Sequence, residues 1–181
     1  MIVLNLNARF QPIHRGDLED ALDEILDELK LGEVCGGGTL MLPTKEIKSC
    51  DIELDIADDE KTLETLLDII DKLGVPKGSK LILSDMSDRN FIPVGRLEGL
   101  AVYLNGTELP AEVYQSCDIN YAIGQMDERL SGIGRLYSWW EGPSETALYF
   151  YGENYEKMLD AIRDFIGEYP LCQKCRTEQI A

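Results

Sequence analysis

The chain of 181 residues sets 34 acids against 17 bases, a formal net charge of −17, with a single histidine. A field of that sign argues against direct contact with nucleic-acid phosphates or anionic lipid, both of which reward basic patches, and favours a basic protein partner. Five cysteines with no export signal before them speak for reduced thiols rather than a disulfide framework. No apolar run of about 18 residues is present to span a bilayer, so no membrane contact and a cytoplasmic location are expected.

Residues 2–6, Ile-Val-Leu-Asn-Leu, read as a strand. A polar stretch follows, containing Asn7, Arg9, Gln11, His14 and Arg15. Its arginines are rare cations among acids and suit a carboxylate or phosphate, while His14 has the chemistry to move a proton near neutral pH. Asn7, Arg9, His14 and Arg15 are therefore candidates for a small-ligand site. The plainer reading is that the arginines neutralise neighbouring acids.

A helix is predicted over 17–31, with Leu18, Leu22, Ile25, Leu26 and Leu29 on one stripe and Asp17 placed to cap it. The other side carries Glu19, Asp20, Asp23, Glu24, Asp27 and Glu28. Like charges three or four residues apart each cost about 0.2–0.5 kcal/mol, so this face weakens its own helix. Such a face points to a role outside the helix, in competition with a merely solvated surface.

A hairpin is expected over 34–56. Its run Cys35-Gly36-Gly37-Gly38-Thr39 is a poor phosphate loop, because no Gly-Lys-Ser/Thr follows and acids surround it; a wide or bulged bend explains it better. In the second strand Cys50, Ile52, Leu54 and Ile56 alternate with Asp51, Glu53 and Asp55, which makes one side apolar and the other acidic. A second helix over 60–74 carries Leu63, Leu66, Leu67, Ile70 and Leu73 and stops at Gly74. A strand at 80–83 closes this half.

Turn formers over 84–98 mark a boundary. The first half is read as 1–88, a connection as 89–98 and the second half as 99–181. The second half repeats the order: a strand at 100–104, a helix at 118–131, a hairpin at 136–151, a helix at 154–168 capped by Asn154, and a closing segment at 171–180. Leu-Lys-Leu-Gly-Glu-Val at 29–34 is echoed by Leu-Ser-Gly-Ile-Gly-Arg-Leu at 130–136. The second hairpin is aromatic on both sides through Tyr137, Trp139, Trp140, Tyr149 and Tyr151, which form either a binding platform or a packing surface between halves. Cys172 and Cys175 have the spacing of half a zinc knuckle, a weak metal candidate that would need two of Cys35, Cys50 and Cys117, or ligands from another chain. No metal and no cofactor are expected.

This strand, helix, hairpin, helix, strand order resembles the ferredoxin-like βαββαβ fold, written twice. The resemblance implies an α+β protein of tandem halves, each an antiparallel sheet with helices on one face, here expected to pack as one compact unit. It implies no function. The charge pattern itself leads to a non-enzymatic binding protein that neutralises a basic protein, for example an immunity-type inhibitor of a bacterial toxin. Asp20, Asp23, Glu24, Asp27, Asp51, Glu53 and Asp55 would steer the partner, with Trp139 or Trp140 as anchors. The alternative is a small-molecule regulatory module using residues 7–15 and the crease between halves. An enzyme would have His14 and nearby carboxylates as its acid-base groups, and a homodimer would associate through exposed sheet edges.

Overall fold

The computed structural model describes residues 1–57, 59–83 and 91–181. The chain divides into two compact units, Met1–Leu97 and Glu98–Ile180.

The first unit begins with strand β1 (Ile2–Leu6), followed by helix α1 (Pro12–Leu29), strands β2 (Gly32–Met41) and β3 (Ile47–Ile56), helix α2 (Glu60–Leu73), and strands β4 (Ser79–Ile82) and β5 (Phe91–Val94). Its antiparallel sheet runs β2-β3-β1-β4-β5. The first four strands in that order are the ferredoxin-like arrangement, and β5 is an addition at the far edge. Alternation decides the faces: Ile2, Leu4, Leu6, Ile52, Leu54 and Leu81 are buried, as are Leu22 and Leu26 of α1 and Leu66, Ile69 and Ile70 of α2. The register sets Ile2 opposite Leu54 and Leu4 opposite both Ile52 and Leu81, which keeps the apolar set on one face.

The second unit contains β6 (Glu98–Asn105), a short α3 (Ala111–Ser116), α4 (Ile119–Arg129), β7 (Gly134–Glu141), β8 (Glu145–Gly152), α5 (Tyr155–Glu168), a 3-10 turn (Pro170–Cys172) and β9 (Arg176–Gln179). Its sheet order, β7-β8-β6-β9, is the same fold again. Leu100, Val102, Leu104, Leu148 and Phe150 from the sheet pack with Ala122, Met126, Leu130, Met158, Ile162 and Phe165 from the helices. The chain is thus α+β with two antiparallel sheets and a duplicated βαββαβ order. Among the described residues no helix is long and apolar enough to cross a membrane.

Four local expectations are corrected. Helix α1 starts at Pro12, not residue 17, because proline presets φ and lacks an N–H that the first turn could not satisfy anyway. His14 and Arg15 therefore lie on the helix. The glycine run lies inside β2, with a bulge between Val34 and Gly36, and the chain reverses later, at Leu42–Glu46. Residues 91–94, expected as connection, form strand β5; positions 89 and 90 lie outside the described residues. The six-residue α3 was not foreseen at all.

Candidate functional site

Helix α1 lies along β2, the edge strand of the first sheet. Its C-terminus is held by Lys30 at φ 54, with the Lys30 N–H donating to Asp27 O at 3.0 Å and the Leu31 N–H to Leu26 O at 2.9 Å. This tight reversal returns the chain beside the helix. Asp23 then joins the two elements, its Oδ1 accepting the Val34 N–H at 2.7 Å.

Two open hollows border this seam and share Asp23. One, of about 520 Å³, is lined by Asp23, Asp27, Lys30, Gly32, Glu33 and Asp55. The other, of about 340 Å³, is lined by Arg15, Glu19, Asp20, Asp23, Val34, Cys35, Gly36 and Gly37. Asp20, Asp23 and Asp27 fall at helical spacing on one side of α1, which is why they reach the same seam. In the first hollow four carboxylates surround one ammonium. Arg15 Nε lies 3.2 Å from Glu19 Oε1, so the guanidinium in the second is occupied by its own helix.

Of the residues marked from the sequence, Asp20, Asp23, Asp27 and Asp55 are brought together here. Glu24 is exposed but lines neither hollow. Asp51 faces away from the helices and accepts from Asn5 Nδ2 at 2.6 Å. Glu53 shares that face and extends beside Gly36, where a β-carbon would lie 3.0 Å from its Oε2. Sequence reasoning missed Glu33 and Lys30 as lining residues. Glu33 is legible in principle, since it stands three residues before Gly36, at the start of the strand that holds the glycine run.

The residues 7–15 do not assemble as one ligand site. The Asn7 side chain donates to Lys77 O at 2.8 Å and its backbone N–H to Ser79 Oγ at 3.0 Å. Arg9 pairs with buried Glu46 in the reversal between β2 and β3. Arg15 is directed to Glu19, and His14 sits in the first turn of α1. Asn7 and Arg9 thus tie β4 and the reversal to the first strand's exit, while the Arg15 pair is internal to α1.

In the second unit the two tryptophans separate. A bulge between Leu136 and Ser138 shifts the register, placing Trp139 opposite Leu148 and Trp140 opposite Ala147. Trp139 is 46% exposed, while Trp140 is buried and folds over Gly142 in the turn before β8. Tyr149 and Tyr151 are buried too, with Tyr137 edge-on to Tyr151 at 5.5 Å and Arg135 stacked on Tyr137 at 4.4 Å. An open aromatic platform is therefore not what these residues form. Trp139 is the member exposed enough to anchor a partner.

Cys172 belongs to the core and Cys175 packs against it. Burial pushes the Cys172 thiol up to about 12, with Cys175 and Cys117 adding to the rise, and burial raises Cys175 as well. Cys50 is raised chiefly by burial, although its thiol lies 3.5 Å from Phe10 O. Held protonated at neutral pH, these three are poor nucleophiles. Among the described residues no group of three or more histidine, cysteine or acidic side chains is arranged to hold a metal ion.

No family model matches the chain, and no curated protein matches it. Among solved structures it is similar to the first two RRM domains of the yeast poly(U) binding protein Pub1, at 9% identity and a TM-score of 0.26 over 100% of this chain and 99% of that one. It is also similar to an anthrone oxidase-like protein, at 11% identity and a TM-score of 0.27 over 99% of this chain and 93% of the other. The fold itself rests on the strand order and registers of the two sheets.

Proposed function

We propose that this protein is a non-enzymatic binder of a basic protein, acting in the manner of an immunity-type inhibitor that occupies a cationic cleft. The observation that carries the reading is the grouping of Asp23, Asp27, Glu33 and Asp55 around Lys30, continued by Asp20 and Glu19 along α1. Carboxylates so grouped repel one another in the isolated protein, and an approaching cationic surface relieves that repulsion. Unlike charge steers encounter and raises association rates in a salt-dependent way. The seam is dominated by carboxylates: His14 stands in the first turn of α1, away from Asp23 and Asp27, and exposed Cys35 lines the second hollow. Exposed Trp139 would serve a second contact.

The test uses the tagged full chain and a variant carrying Asp20→Asn, Asp23→Asn, Glu24→Gln and Asp27→Asn. Asparagine at 23 keeps an oxygen for the Val34 N–H, so the seam should survive. A basic protein is expected to be captured from the source cells at low salt, released as salt rises, and lost by the variant. With the pair purified, neutralisation should slow association by about tenfold at low ionic strength and flatten its salt dependence. Capture of a partner whose association rate is the same for both forms would remove the seam from the interface.

A further inference from the structure

We propose that the open edge of β2 receives an extended, basic segment of the partner as an added strand, an inference that rests on the charge reading above and specifies how the partner is held. β2 ends the sheet order of the first unit, so one side of its backbone is unpaired within the sheet. Such an edge is a template for another strand unless it is short, covered or capped. It is ten residues long, and Gly32, Glu33, Cys35, Gly37, Leu40 and Met41 are exposed. Asp23 caps the edge at Val34, and among the described residues no backbone hydrogen bond other than those to β3 engages residues 36–41.

The glycines explain the choice of occupant. Without side chains at 36 and 37, carboxylates of neighbouring elements fill the space above and below the edge. Glu53 reaches Gly36 from the sheet face away from the helices, and Glu19, with Arg15, lies where a side chain of Gly37 would stand. Asp20 and Asp23 border the same groove. A strand laid against this edge therefore meets Glu53 on one face near Gly36 and, on the other, Asp20 and Asp23 beside the Arg15–Glu19 pair. Lysine or arginine at alternate positions would find a carboxylate on either side. A second copy of this chain is disfavoured as occupant, because it would bring its own Glu19, Asp20, Asp23 and Glu53 against these. Exposed Leu40 and Met41 offer apolar contact at one end.

The probe is a short peptide alternating lysine and valine, measured by fluorescence anisotropy against the full-length protein at low salt, together with two versions backbone-methylated on either alternate set of amides. Strand addition uses one alternate set of amides toward β2 and leaves the other toward solvent. One methylated version should bind about tenfold or more weakly while the other binds as the parent does. Amide exchange in the complex should slow within residues 36–41. Equal binding by all three peptides, with no new protection in β2, would overturn strand addition and leave the charge reading intact; so would absence of binding by the parent peptide, since the charge reading is judged on the captured partner. Protection of 36–41 that grows with protein concentration and without peptide would assign the edge to a second copy and overturn the proposal.

Discussion

Arg9 has the chemistry of an anion clamp in a chain where cations are scarce, yet it pairs with Glu46, a carboxylate only 8% exposed. Removing one member of a buried pair strands the other. Arg9→Ala should therefore destabilise the protein by about 3 kcal/mol, while the joint change of Arg9→Met and Glu46→Leu should recover most of that loss. Chemical denaturation of the three proteins decides it, and an Arg9→Ala protein as stable as the parent would return Arg9 to the list of ligand residues. Cys172 makes a separate prediction about alkaline stability. Its folded value is raised to about 12 from 9.0. Between those values the unfolded chain releases a proton that the folded chain keeps, so the contribution is complete below about pH 9 and declines as pH rises toward the folded value. The advantage of the parent protein over Cys172→Ala should shrink as pH rises above about 9 toward about 12, measured as a difference so that tyrosine and lysine titrations cancel. A constant difference would mean that burial of the thiol is not what separates the two states.

The two halves share a device at the passage from helix to second strand. Lys30 at φ 54 precedes Gly32 by two positions, and Gly132 at φ 81 precedes Gly134 by two; Gly32 opens β2 and Gly134 opens β7. This is the physical content of the echo between 29–34 and 130–136. Lys30 is itself the left-handed cap of α1, while α4 ends at Arg129 on a right-handed Leu130 and Gly132 turns the chain two residues later; the following glycine lets the strand pass close to Ile56 in one unit and Met158 in the other. A lysine in that conformation carries a cost that glycine does not. Lys30→Gly should be more stable than Lys30→Ala by about 1 kcal/mol, and Gly132→Ala should lose a similar amount, with no clash involved because nothing lies within 4 Å of an added β-carbon there. Equality of the two Lys30 variants would show that the reversal relaxes. Element order, the apolar stripes, the cap at Asn154 and the duplicated fold are legible, because each depends on spacing within a few residues, whereas Asp17, expected to cap α1, lies inside that helix because Pro12 starts it earlier. What was hidden depended on place in the sheet. Pro93 marks its segment as a loop, yet β5 is an edge strand where a missing N–H need break no ladder bond. Three glycines weaken a strand by propensity alone, and β2 keeps them through its long pairing with β3. The acids of α1 and β3 were found singly, while their meeting across the seam required the tight return after Leu29.

Charge acts on the molecule as a whole. Residues 1–97 hold 20 acids and 11 bases and residues 98–181 hold 14 and 6, so both units are strongly anionic. Several ion pairs in the structure, such as Lys72 with Asp68 and Arg163 with Asp160, are exposed and contribute little to stability. Net repulsion should therefore outweigh local pairing, and screening should stabilise the fold. Raising ionic strength from about 0.01 M to 0.15 M shortens the Debye length from about 30 Å to about 8 Å, close to the separation of neighbouring carboxylates along α1. The thermal midpoint is expected to rise by a few degrees over that interval, by the same amount in sodium and potassium chloride. Neutralising Asp20, Glu24 and Asp27 should raise the midpoint at low salt and reduce its response to salt. Those same changes should weaken capture of a basic partner. Opposite movement of stability and binding on one set of residues is what a site retained for its charge would produce, because a solvated surface without a partner would gain stability and lose nothing. A midpoint that falls with salt would show that pairing dominates repulsion in this fold and that the acids are not held there against its stability.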